Sequence, residues 1–172
     1  MIDQNERKPF ESRLCLDNDM PTKTLVVDFL IAIGFELRVT LHEQPEVYTD
    51  WDMELYWKGK PKRFEVERKL SWNLSQKWQG FDTVDVAYRK CDSKADYFIM
   101  VNKHFNTLCV APMDIVQDSV VGKKKTIYTP SGNEQFYRCN LDIFTFYSIL
   151  ETPYGNWWRE FKPLQRVICN EV

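Results

Sequence analysis

Residues Asp50–Trp72 read DWDMELYWKGKPKRFEVERKLSW, and the fold turns on how this stretch is paired with itself. In its first half Met53, Leu55 and Trp57 alternate with Asp52, Glu54 and Tyr56. In its second half Phe64, Val66 and Leu70 alternate with Glu65, Glu67 and Lys69. A period of two is the signature of a strand, so the stretch predicts a β-hairpin about Lys58-Gly59-Lys60-Pro61. If those residues form the loop, Trp57 faces Lys62, Leu55 faces Phe64, Met53 faces Val66 and Asp52 faces Glu67. One face of the ribbon is then apolar. The other carries Asp52, Glu54, Glu65, Glu67 and Lys69. A one-residue slip is opposed because it splits the apolar face. Directly opposed like charges are destabilising. Paired carboxylates therefore call for a cation, and a divalent metal with hard oxygen ligands is one that suits them.

The rest of the chain gives this hairpin a setting. Pro21 and Thr22 open a predicted helix, capped by Thr22 or Thr24, with Leu25, Val26, Phe29, Leu30 and Ile33 buried and Gly34 ending it. Phe35–Leu41 alternates as a strand. Asn73–Gln79 suits a short helix, and Phe81–Lys90 is partly strand-like. Asp96–Val101 (DYFIMV) is nearly all apolar, as a strand covered on both faces would be. Thr107–Ala111 is the next strand, and Pro112 suits the first turn of a short helix. The PSGN turn at Pro130–Asn133 predicts a second, C-terminal hairpin. The expected class is α/β (α+β): a mixed central β-sheet with flanking helices.

Composition narrows the function. The chain has 172 residues, 44% hydrophobic and 28% charged, which suits one globular domain. A net charge of −2 argues against a protein that simply coats nucleic acid. The five cysteines are an odd number, and none lies within four residues of another, so neither a zinc ribbon nor a disulfide framework is expected. Cys109 and Cys139 suit the core. The N-terminal residues have no apolar signal core, and Leu25–Ile33 is too short to span a bilayer. A soluble, cytoplasmic protein without a membrane partner is the expectation. His42 and His104 have no partner at metal-ligand spacing. Val120–Thr126 lacks the glycines of a phosphate-binding loop and reads as a lysine-rich turn. Trp72 and Trp78 suit packing on the sheet, or stacking on bases.

Asp52 at the start of one strand, facing Glu67-Arg68-Lys69 on the next behind a helix and a strand, resembles the PD-(D/E)XK nuclease superfamily. The matching segment is Phe64–Lys69, FEVERK. The resemblance implies a restriction-endonuclease-like core over about 21–112, with 113–172 as C-terminal elaboration, in a single nuclease-like domain 1–172. It implies a Mg²⁺- or Mn²⁺-dependent endonuclease acting on DNA, with RNA as the other candidate substrate. Asp52, Glu67 and Lys69 are then the catalytic set, and Asp52 and Glu67 the metal ligands. Asp28 is the candidate accessory acid, and Glu36 the next. A rival triplet, Glu65-Val66-Glu67, has the aliphatic centre that the family usually carries where Arg68 stands. It makes Glu65 a second candidate acid. Arg68, Arg89, Lys90, Lys123, Lys124 and Lys125 are candidates for phosphate contact. Cutting both strands would call for a homodimer. The alternative is a non-catalytic module on the same fold, binding nucleic acid or protein through the charged face.

Overall fold

A computed structural model describes residues 20–38, 51–73, 77–78, 82–87, 90, 93–128, 132–151, 159–164 and 168–169. The predicted hairpin is present. Its strands are β1, Met53–Trp57, and β2, Lys60–Lys69. Its register differs from the sequence expectation. Trp57 pairs with Lys60, Leu55 with Lys62 and Met53 with Phe64. The loop is therefore only Lys58 and Gly59, at φ 49° and 77°. Two successive left-handed residues fit the tight turn whose twist suits a hairpin. The shift is by two residues, so every side chain keeps its face while its opposite number changes.

Beside β2 the sheet grows in both directions of the sequence. After β3 (Lys77–Trp78) and β4 (Thr83–Ala87), the strand β5 (Tyr97–Asn102) lies parallel to β2, with Phe64 level with Tyr97 and Lys69 with Asn102. Next come β6 (Thr107–Pro112), a short helix α2 (Met113–Asp118), and the hairpin β7 (Val120–Tyr128) and β8 (Gly132–Asn140). A 3-10 turn at Leu141–Ile143 leads to β9 (Thr145–Glu151), β10 (Arg159–Pro163) and β11 (Ile168–Cys169). The main sheet has the order β1-β2-β5-β6-β9-β10, and a second sheet has the order β4-β8-β7. The mixed α+β class expected from the sequence is what forms. The main sheet continues through β9 and β10, so elements on both sides of residue 112 share it. Asn73–Gln79, expected as a helix, contributes β3 where it is described. Of the expected strand Phe35–Leu41, the described part makes a single bridge, Glu36 to Tyr56.

The helix preceding the hairpin is α1, Met20–Ala32. Leu25, Val26, Phe29 and Leu30 are buried against Leu55, Phe64, Val66, Ile99 and Val101. Phe29 meets Tyr147 and Phe161 edge-on, at centroid distances of 4.8 and 5.3 Å. The helix ends as its glycine predicts. The N–H of Phe35 donates to the Leu30 carbonyl at 2.9 Å, that of Gly34 to Ile31 at 3.0 Å, and Gly34 takes φ 106°. Ile33, expected in the core, is exposed, one residue past the end of α1. Thr24 donates back to the Met20 carbonyl instead of capping.

The other face of the sheet carries Phe98, Met100, Cys109, Ala111 and Phe146, covered by Trp72, Trp78, Val84, Val86, Met113 and Val116. Strand β5 is thus enclosed on both sides, as its run of apolar residues requires. Phe98, Ile99, Met100 and Val101 are each fully buried, roughly 1.5–3 kcal/mol apiece relative to exposure. Trp72 and Trp78 belong to this core, edge-on to each other at 5.0 Å, and are not surface stacking platforms. Among the described residues no helix is long and apolar enough to cross a membrane.

Candidate active site

The polar face of β2 looks toward β4 and Lys90. Its first acid, Asp52, stands just before β1. The Asp52 N–H donates to the Phe64 carbonyl at 2.9 Å, although Phe64 already pairs with Met53, so the regular ladder of the hairpin breaks at Asp52. Because β1 goes no further, the Val66 N–H on that edge has no strand partner. The Asp52 carboxylate accepts it instead, at 2.8 Å through Oδ2. The local reason for this placement is the two-residue turn. A four-residue loop would have brought Glu67 opposite Asp52, and that expected pairing does not form.

Glu65 takes the place assigned to Glu67. Its Oε1 accepts from the Lys90 ammonium at 2.7 Å, and its Oε2 accepts from the Ser93 hydroxyl at 3.4 Å. Lys90 Nζ also donates to the Val66 carbonyl at 3.2 Å and lies 3.8 Å from Asp52 Oδ2. Two carboxylate oxygens and one carbonyl therefore converge on a single positive charge. The side chains of Lys90 and Glu65 are only 7% and 13% exposed. On the far side of Asp52, Lys23 of α1 approaches Oδ1 at 3.4 Å.

One step along the strand, Glu67 Oε1 lies 3.6 Å from Lys69 Nζ. Lys69 also donates to the Asp85 carbonyl on β4. Glu67 Oε2 is buried with no hydrogen-bond partner among the described residues. A buried carboxyl oxygen without a donor is costly, so the position has room in its chemistry for a further donor, a water or a cation. Lysines from three parts of the chain thus meet the acids of the hairpin: Lys23 with Asp52, Lys90 with Asp52 and Glu65, and Lys69 with Glu67.

The remaining candidates fall elsewhere. Asp28 is exposed on α1 and pairs with Arg159 at 3.2 Å, on the opposite edge strand of the sheet. It is not an accessory acid of this cluster. Glu36 pairs with Arg38 at 3.2 Å, also exposed. Arg68 points to the other face, where its guanidinium lies 4.1 Å from the Phe105 ring centre and donates to the Lys103 carbonyl at 2.7 Å. Its charge is turned outward along an aromatic surface, which resolves an arginine on the apolar side of a strand. Arg89 lies outside the described residues. So do the side chains of Lys123, Lys124 and Lys125, whose backbone is in β7. Lys90, expected on a basic rim, is instead in the centre of the cluster.

Two cysteine side chains are among those described. Cys109 and Cys139 are both buried and free. Burial pushes both thiols up, Cys109 far above the usual range despite the Met100 backbone hydrogen bond and the Lys69 charge. Neither is suited to act as a nucleophile.

Among the described residues no three His, Cys, Asp or Glu side chains come together as a metal-binding group. The donor set that does converge is Asp52 Oδ2, Glu65 Oε1 and the Val66 carbonyl, all hard oxygens of the kind that Mg²⁺ and Mn²⁺ take. The ammonium of Lys90 stands where such a cation would be held, so the set fits a metal with Lys90 moved aside. Sequence reasoning missed the Lys90 role because its partner is 25 positions earlier in the chain. The usable signal was the excess of acids on one ribbon face, which had to be neutralised by something. Comparison of the chain with protein-family models, with curated proteins and with solved structures returns no match.

Proposed function

We propose that the chain is a metal-dependent nuclease of the PD-(D/E)XK type, hydrolysing phosphodiester bonds in DNA. The observation that carries this reading is the convergence of Asp52 Oδ2, Glu65 Oε1 and the Val66 carbonyl on one cationic point. The order of elements supports it: a helix, a strand-like contact at Glu36, a hairpin bearing the acids, then a buried strand parallel to the second arm. In this reading the fold is restriction-endonuclease-like and the motif takes its Glu-x-Glu form, Glu65-Val66-Glu67. Val66 is the buried aliphatic centre.

Asp52 and Glu65 would hold Mg²⁺ or Mn²⁺, with the Val66 carbonyl as a third ligand. Such a cation, when bound, lowers the pKa of a coordinated water and polarises the phosphoryl oxygen. Glu67 offers its buried oxygen as acceptor for a proton from the attacking water. Lys69, fixed between Glu67 and the Asp85 carbonyl, offers positive charge to the oxygens on which negative charge builds. One such site cuts one strand, so cutting both strands would take a homodimer. An intracellular, cytoplasmic place of action accompanies this reading.

One observation favours a second reading, a non-catalytic module that binds nucleic acid or protein. Lys90 already neutralises the converging oxygens, and Lys69 already neighbours Glu67. The two readings separate in one assay. Purified protein is incubated with plasmid, single-stranded DNA and RNA, each with Mg²⁺, Mn²⁺ or chelator. The nuclease reading expects metal-dependent cutting that Glu65→Gln abolishes. Tight binding without cutting supports the module.

A further inference from the structure

We propose that Lys90 is a tethered counter-ion that occupies the cation position between Asp52, Glu65 and the Val66 carbonyl, and that a divalent cation enters only by displacing it. This depends on the reading of that position as a cation site, and not on whether the protein cuts DNA.

The geometry supports an occupant and not a bystander. A lysine ammonium has three donors and no acceptor. Here it has three oxygens before it: Glu65 Oε1 at 2.7 Å, the Val66 carbonyl at 3.2 Å and Asp52 Oδ2 at 3.8 Å. Its side chain is 7% exposed, which is rare for lysine unless the charge is paired. A divalent ion using the same oxygens would come within contact distance of the ammonium. Two like charges that close in a partly dry site repel strongly, so both are not held together.

Ser93 links Lys90 to Glu65. The Ser93 N–H donates to the Lys90 carbonyl at 3.1 Å. Ser93 Oγ donates to Glu65 Oε2 at 3.4 Å, while accepting from the Ala95 N–H at 3.2 Å. Glu65 is therefore held at one oxygen by Lys90 and at the other by Ser93. Displacing the ammonium removes one tie and leaves the other. The metal site would then open without losing its principal carboxylate. Until metal arrives, Lys90 holds the acids neutralised and raises the cation concentration needed to load the site.

The test measures Mn²⁺ binding by titration calorimetry and by the loss of free-ion signal in electron paramagnetic resonance. Lys90→Met is compared with wild type. The expected result is that Lys90→Met binds Mn²⁺ about tenfold or more tightly, because the competitor is gone. Equal or weaker binding by a folded Lys90→Met overturns the proposal. A second measurement uses the wild-type chain and does not depend on the variant folding. Amine acetylation read by mass spectrometry should find Lys90 protected without metal and labelled with saturating Mg²⁺. Protection that persists in saturating Mg²⁺ overturns the proposal. Neither readout involves cleavage. A protein that passes both tests and cuts nothing loses the nuclease reading alone. One that cuts DNA with Lys90 still protected loses this inference alone.

Discussion

Lys90 Nζ stands 2.7 Å from Glu65 Oε1, and the two side chains are 7% and 13% exposed. This is not a surface ion pair. Removing one partner of a buried pair strands the other, at about 3–5 kcal/mol. Glu65→Ala is therefore expected to lower stability by about 2–4 kcal/mol, slightly less because some solvent reaches the pair. Combining it with Lys90→Met should recover part of that loss. Urea denaturation of the two single variants and the double variant measures the coupling.

The structural role of Asp52 can be separated from the chemical one proposed for it. Its carboxylate accepts the Val66 N–H at 2.8 Å, which closes the edge of β2 beyond the end of β1. Asp52→Asn keeps an acceptor oxygen there, while Asp52→Ala leaves a backbone donor exposed to loss of its partner. Asp52→Ala should be the less stable by about 1–2 kcal/mol. In the nuclease account both substitutions abolish cutting. Thermal melts and the plasmid assay, run together, distinguish the structural role from the chemical one.

Two glycines with positive φ should respond differently to a side chain. At Gly34, φ is 106° and an added Cβ would lie 3.1 Å from the Trp57 ring. At Gly59, φ is 77° and the nearest atom to an added Cβ is 4.0 Å away, at the tip of Arg38. Gly34→Ala carries backbone strain and crowding, and should cost about 2 kcal/mol or more. Gly59→Asn should be nearly neutral, since Asn tolerates the left-handed region of a two-residue turn. Chemical denaturation of both proteins checks the order.

Burial raises the Cys109 and Cys139 thiols above their ordinary range. In the unfolded chain they ionise from about pH 8.5, while in the folded chain they stay protonated. The folded state's advantage from this source is full below that pH and is lost as pH rises beyond it. Stability should therefore fall steadily as pH rises above about 8.5, and Cys109→Ala should flatten the fall. Iodoacetamide should label neither thiol in the native protein at pH 8, and both after denaturation.

The hairpin was legible from its alternation, and the buried β5 from its unbroken apolar run. The register was not. A shift of two residues preserves which side chains are buried, so the apolar pattern cannot choose between Glu65 and Glu67 as the acid that joins Asp52 at Lys90. The deciding information was in the turn. Pro61 invited a longer loop, but it lies in the part of β2 before Phe64, where β5 has not yet begun. There its missing N–H forfeits no bond on that side. Lys58 takes a left-handed conformation that sequence preference assigns to Asn or Asp. Trp72 and Trp78 were open to a surface role or a core role, and only the second sheet element above them settles it in favour of the core. Lys90 depends on a long-range contact across the connection between two parallel strands, and no local pattern encodes that.

Plasmid cleavage by the wild-type protein, Glu65→Gln and Glu67→Gln, with Mg²⁺ or Mn²⁺ and with chelator, decides whether the chain is a metal-dependent nuclease. Wild type is expected to nick in a metal-dependent way, Glu65→Gln not at all even where it is folded, and Glu67→Gln with at least a hundredfold loss (about 2.7 kcal/mol of barrier). Undiminished cutting by Glu65→Gln, or no metal-dependent cutting of any nucleic acid by wild type, would contradict the nuclease reading.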